Sequence, residues 1–273
     1  MKKNGFSKGE NGMNEYWRKS RTEKPDFRKK MPEICTPTRF FDQMSFIGDE
    51  IVGCFVLETE QGIVLFDCMF PDQRYVDMIE HGFVQLGLNI NDLYAIVISH
   101  GHEDHYGRAE YFHDKYGAKL YLAKEDYRLA RTDDSITFHI DHYLEDGETL
   151  LFGETAVKVV FTPGHTKGTC SFIIPVTDEG KTHQMALWGG SGILPSSDKE
   201  AYYHSLVKFT KICYDYKVDG ELATHPCLDM GLMRYEMVRN ITDGIPNPFV
   251  LGEEGYHYYE RQFYDYVKEY WSK

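Results

Sequence analysis

The chain has 273 residues, with 30 lysines and arginines against 43 aspartates and glutamates, a formal net charge of −13. That balance argues against nucleic acid and anionic membrane surfaces as main partners, because their phosphates would be repelled. No stretch approaches the ~20 apolar residues of a membrane span, and the basic, polar start has no hydrophobic segment of a secretory signal, so a cytoplasmic location is expected.

Residues 1–33 are charged and without apolar periodicity, and are read as an extension; residues 34–273 are read as one domain. Strand signals begin at "FFDQMSFIG" and continue through "IVGCFVLET" and "GIVLFDCMF", the last two joined by a hairpin turn at Glu60-Gln61-Gly62. "RYVDMIEHGFVQLG" is amphipathic and ends with Gly87 where a helix C-cap belongs. "LYAIVIS" reads as a buried strand, "GRAEYFHDKYG" as a helix, "AKLYLAK" as a strand and "EDYRLA" as a short helix. A second β-rich block follows: "ETLLFG", "TAVKVVFTPG", "CSFIIPV" and "QMALWGG". The long helix "DKEAYYHSLVKFTKICYDY", the strand-like "GELATHP" and a C-terminal helix complete the chain. That last helix carries Tyr256, Tyr259, Phe263, Tyr266 and Tyr270 on one face, for packing or for a homodimer contact. Two blocks of strands and helices with no linker between them predict an αββα sandwich, two stacked mixed sheets with helices on both outer faces. Cys35, Cys54, Cys68, Cys170, Cys213 and Cys227 are scattered without a CxxC pair, as expected of reduced thiols.

The chemistry concentrates in "SHGHEDHYG" directly after the "LYAIVIS" strand. In an extended loop His100 and His102 point to the same side and suit one ion; Asp104 and His105 follow a turn and can reach a second. Clustered imidazoles without a metal would repel one another on protonation with nothing gained. Imidazole with carboxylate suits zinc, with iron or manganese as lesser alternatives. Further ligands must come from other strand ends, and His165 in "FTPGHTKG" and His225 in "ELATHP" occupy that context. The remaining histidines, His81, His113, His139, His142, His183, His204 and His257, are read as ordinary surface or hydrogen-bonded residues.

"SHGHEDHYG", "TPGHTKGTCSF" and "THP", with "GIVLFDCMF" ending at Asp67, resemble the metallo-β-lactamase superfamily over roughly residues 37–230. The style of "DHYLEDGETLLFG" and "LWGGSG" is similar to its subclass B3. The resemblance implies that His100, His102 and His165 hold one zinc, that Asp104, His105 and His225 hold a second, and that a water or hydroxide bridges them. It implies a hydrolase acting on a small molecule through a lactam, lactone, amide or ester bond, with Asp104 catalytic. Asp67 would act behind the ligands, and Ser191, near the position where relatives carry a bridging aspartate, would contact substrate. Thr166, Lys167 and Ser191 are the weaker candidates for substrate contact, Lys167 reading more readily as a solvated loop charge, and Tyr106 reads equally as a pocket residue or as packing against the helix. The competing readings are a glyoxalase II-type thioester hydrolase or a phosphodiesterase, a redox-active iron member of the fold, and a non-catalytic metal-binding protein.

Overall fold

The computed structural model describes residues 31–133, 136–242 and 244–272, so nearly all of the predicted extension lies outside the described residues. Among the described residues, twelve strands form two sheets. The first runs β1 (Thr38–Phe41), β2 (Met44–Gly48), β3 (Gly53–Thr59), β4 (Gly62–Phe66), β5 (Leu93–Val97), β6 (Lys119–Ala123) and β7 (His142–Leu144), in that spatial order. The second contains β8 (Thr149–Phe152), β9 (Thr155–Phe161), β10 (Cys170–Asp178), β11 (Lys181–Leu187) and β12 (Gly220–Leu222), ordered β12-β11-β10-β9-β8. Seven helices are described: α1 (Gln73–Leu86), α2 (Glu103–Tyr106), α3 (Ala109–Tyr116), α4 (Lys124–Ala130), α5 (Lys199–Asp215), α6 (Gly231–Arg239) and α7 (Gly252–Ser272).

The apolar runs are continuous because both faces of most strands are covered. Along β4, Val64 and Phe66 point between the sheets, while Ile63 and Leu65 point outwards to α1 and α3. Along β10, Phe172 and Ile174 join the inner layer and Ile173 the outer one, beneath α5 and α7. Three apolar clusters therefore separate four layers, and the predicted αββα sandwich is the observed architecture. The Tyr-rich helix α7 lays Tyr256, Tyr259, Phe263 and Val267 into the outermost cluster; Tyr266 packs against it and Tyr270 stays exposed.

Local outcomes follow from the residues. "FFDQMSFIG" is not one strand but a tight hairpin, because Asp42-Gln43 turns the chain between Phe41 and Met44. Gly87 caps α1 in the left-handed conformation, as its position predicts. Helix α6 was not expected: "GLMRYEMVR" buries Gly231, Arg234 and Tyr235, which gives no clean apolar stripe to read. The three-residue strand β7 is likewise too short to show a period.

Direction of the strands is what positions the site. β4, β5 and β6 are parallel neighbours. In the other sheet β9 and β11 both oppose β10, and β12 parallels β11, so β9, β11 and β12 share one direction. The loops leaving the C-terminal ends of these strands carry the chemistry.

Candidate metal centre

Loops from four strands meet at this edge. His100 and His102 leave β5 in an extended segment, and His102 sits at the N-cap of the single-turn helix α2, which carries Asp104 and His105. The acidic Glu103 and Asp104 suit the positive end of that turn. His165 follows β9, Ser191 follows β11 and His225 follows β12. Two trios result, His100 with His102 and His165, and Asp104 with His105 and His225, each with its ligand-type atoms within 4.8 Å of one another.

The distances within the trios are those of ligands around an ion. His165 Nε2 lies 3.0 Å from His102 Nδ1 and 3.1 Å from His100 Nε2. His105 Nε2 is 3.2 Å from His225 Nε2, and Asp104 Oδ2 lies 3.6 Å from both. Ligands at zinc–nitrogen bond lengths of ~2.0–2.1 Å in a tetrahedron are separated by about 3.3 Å.

The opposite ring edges decide what faces the centre. His225 Nδ1 donates to Ile51 O at 2.7 Å and His165 Nδ1 to Gly192 O at 2.6 Å, since a carbonyl can only accept. His105 Nδ1 donates to Asp67 Oδ2 at 2.6 Å. Ser99 Oγ donates to Asp67 Oδ2 at 2.9 Å and therefore accepts from His100 Nδ1 at 3.0 Å. These tautomers leave lone pairs on the Nε2 atoms of His100, His105, His165 and His225. His100 and His165 then face each other lone pair to lone pair, as do His105 and His225 when His105 is neutral. Two neutral imidazoles so arranged repel, whereas a cation between them satisfies both; the donor set fits a metal ion.

Protonation is disfavoured at most of these rings. Burial, then the neighbouring histidines, pushes His100 well below its ordinary pKa. Burial followed by His102 takes His165 down to about 3. His102 and His225 are also lowered, chiefly by burial. His105 differs: burial would lower it, but Asp104 and Asp67 together outweigh burial and raise it. For Asp104 burial would raise the pKa, but His105, His225 and His102 more than offset this and hold the carboxyl below its usual range.

Behind the rings, Asp67 is completely buried and also accepts from Ser99 N at 2.7 Å. Its backbone takes a positive φ of 62°, which turns the carboxylate from the end of β4 across the end of β5. Helix α5, which had no assigned role, supports the β9 and β11 loops. Tyr202 Oη donates to Gly190 O at 2.8 Å, and Ser205 Oγ donates to Pro163 O at 2.6 Å. At Gly164, φ is +140° and a Cβ would stand 2.4 Å from Tyr202 Cα, so only glycine lets the His165 loop lie against the helix.

The sequence profile of the metallo-β-lactamase superfamily matches residues 47–178. In fold the chain is similar to the native FEZ-1 metallo-β-lactamase from Legionella gormanii, with a TM-score of 0.76 and 24% identity, over 88% of this chain and 96% of that one. Residues 47–178 match the metallo-β-lactamase superfamily in sequence, and the chain has that fold over most of its length. It is also similar to the class B3 di-zinc metallo-β-lactamase LRA-12 from an Alaskan soil metagenome, at a TM-score of 0.69 and 19% identity, over 87% of this chain and 94% of that one. In sequence it is 28% identical over 184 residues to a hydroxyacylglutathione hydrolase from Francisella philomiragia. That match takes in 66% of this chain and 64% of the relative, so the chain spans somewhat under two thirds of that protein's length.

Within this superfamily fold, the structure brings all six expected ligand residues to one edge, with Asp67 behind them. Ser191 lies at the wall of the same cavity, buried, 3.4 Å from Trp188 O. The weaker candidates Tyr106, Thr166 and Lys167 stand away from the cavity wall. Tyr106 is buried beneath α2, packs on Phe138 at 6.0 Å and does not line the cavity, because the helical turn points it into the core. Thr166 is turned inwards to Asp126. Lys167 is exposed and does not line the cavity.

Asp126 is the residue that sequence reasoning missed. It is completely buried in the first turn of α4 and accepts from Gly101 N at 2.8 Å, Thr166 Oγ1 at 2.5 Å and Gly168 N at 2.6 Å. One carboxylate thus ties the His100–His102 segment to the His165 loop. Gly168 permits the approach, since a Cβ there would lie 2.7 Å from Asp126 Oδ1. In the sequence, "EDYRLA" reads only as a short helix, and nothing local marks Asp126 as buried.

Proposed function

We propose that the chain is a zinc-dependent hydrolase of small molecules, with residues 34–273 as one catalytic unit. His100, His102 and His165 would hold one ion, and Asp104, His105 and His225 the other. The observation that carries this reading is the pair of ring edges facing each other with their lone pairs, fixed by Ile51, Gly192, Ser99 and Asp67 on the far sides. Nitrogen-rich trios with one carboxylate favour zinc over harder ions.

When bound there, zinc would supply water activated near neutral pH and an electrophilic pull on a carbonyl oxygen. The chain's own residues then have separate tasks. Asp104, held ionised by its histidine neighbours, presents one carboxylate oxygen to the ligand set and can orient the attacking water through the other. Asp67 locks the His105 ring and, through Ser99, the His100 ring. Asp126 keeps the two loops of the first trio in register. The cavity above them has a volume of about 400 Å³, the size of a small-molecule site.

Lactam, lactone, amide and ester bonds are the proposed targets. A thioester is the second reading, supported by the similarity to a hydroxyacylglutathione hydrolase. A reducing, cytoplasmic setting belongs to the same proposal and agrees with six free cysteines. The test is zinc quantification of the purified chain beside an ester, lactone, lactam, thioester and phosphodiester panel. Two zinc ions per chain with carbonyl-centred hydrolysis are expected. Bound zinc with no hydrolysis in any class would overturn the enzyme reading, and phosphodiester cleavage alone would overturn the substrate class.

A further inference from the structure

Above the six polar side chains of the floor, the cavity walls are made of Ile51, Phe70, Leu194, Leu228 and Cys227, with Ser191 and Gly192 as the remaining, uncharged lining. Ile51 and Leu228 are nearly buried, at 9% and 5% exposure, so the apolar lining is built into the fold rather than draped over it. Among the described residues lining the cavity there is no lysine or arginine, and the one charged side chain outside the floor is Glu103, exposed at the rim. The whole chain carries −13.

From this we infer that the site selects substrates whose groups on either side of the scissile bond are uncharged and apolar, and discriminates against those that carry a carboxylate there. The inference rests on the hydrolase reading and names its substrate class. A carboxylate entering these walls would lose water without gaining a charged partner, a cost that an alkyl chain does not carry. Glu103 would add repulsion, and the acidic surface would slow the approach of anions. The positive charge proposed for the floor acts on the carbonyl of every substrate alike, so discrimination falls to the walls.

The experiment uses the zinc-loaded full chain and two thioesters with the same acyl group, S-hexanoyl-N-acetylcysteamine and S-hexanoylglutathione. The first is neutral and the second carries a net negative charge. In both, the oxygen of water bonds to the acyl carbon, the C–S bond breaks and the proton passes to sulfur, giving hexanoic acid and a thiol. We expect kcat/KM for the neutral thioester to exceed that for the glutathione thioester by about tenfold or more, an unpaired buried carboxylate being costly.

In Leu194→Lys, that ratio should narrow by roughly three- to tenfold through a gain on the glutathione thioester, for a unit charge a few ångströms from another near a protein surface. Glu103→Gln, at an exposed position that folding tolerates, should narrow it by roughly two- to threefold. Equal rates, or preference for the glutathione thioester, with ratios unmoved by either variant, would overturn the inference and leave the hydrolase reading standing. No cleavage of either thioester, nor of hexanoyl esters and hexanoic lactones, would sink both.

Discussion

Removing the Asp126 carboxylate should loosen the centre without touching a ligand. Asp126→Ala strips the acceptor from Gly101 N, Thr166 Oγ1 and Gly168 N, all inside the protein. Burial keeps the pKa of Asp126 above the usual carboxylate range despite these bonds, so the ionised group is not itself a net source of stability. The loss arises from donors left without a partner. At about 1–3 kcal/mol each, partly relieved by water entering the hole, about 3–5 kcal/mol of stability should disappear. Asp126→Asn keeps the volume but turns an N–H₂ towards at least one donor, and should cost about 1–3 kcal/mol. Because the tie joins two loops of one trio, zinc affinity should also fall by about 10–100-fold, as for other groups that orient ligands from behind. Urea denaturation of the chelated protein reads the first effect, and competition with a chromophoric chelator reads the second. An Asp126→Ala protein with an unchanged denaturation midpoint and unchanged zinc affinity would refute the reasoning.

Asp67→Asn should weaken the second trio more than the first, by about 10–100-fold in zinc affinity, because His105 loses its anionic partner directly; a stepwise zinc titration would resolve the two events, and equal weakening of both would count against the assignment. Chelated His165→Gln should lose less stability than chelated wild type as pH falls. Burial sets His165 at about 3 in the folded chain against 6.5 ordinarily, so between those values the native state binds fewer protons than the unfolded one. Its stabilising contribution is therefore full above about 6.5 and lost as the medium acidifies, and parallel stability–pH curves for the two proteins would contradict this. Gly164→Ala should destabilise the fold by at least about 2–3 kcal/mol, from left-handed strain and overlap with α5, and a denaturation midpoint equal to wild type would exclude that contact.

The residues of the two trios were legible because their chemistry is dense and follows strands that the sequence declares plainly. "LYAIVIS" announces a buried strand, and three histidines with an aspartate immediately after it have few other uses. His225 was weaker alone and gained meaning only as a third strand-end loop. The layers were legible too, since β-rich blocks without a linker leave little but a stacked sandwich. What escaped depends on contacts between distant segments. Asp126 meets residues 25 to 42 positions away, so no local pattern marks it. Tyr106 follows the ligands in sequence, yet the helical turn of α2 swings it into the core. The hairpin at Asp42-Gln43 was hidden because apolar residues flank both polar ones. Helix α6 was hidden because its buried residues include Arg234, which lies over the Phe249 ring, 5.6 Å from its centre.

The most direct test of the paired centre is a crystal structure of the zinc-loaded chain with anomalous diffraction collected across the zinc absorption edge. Two peaks are predicted, each at ~2.0–2.2 Å from its ligands. One should touch His100 Nε2, His102 Nδ1 and His165 Nε2, and the other Asp104, His105 Nε2 and His225 Nε2. A map with no peak between these residues, or with zinc held elsewhere on the chain, would contradict the account.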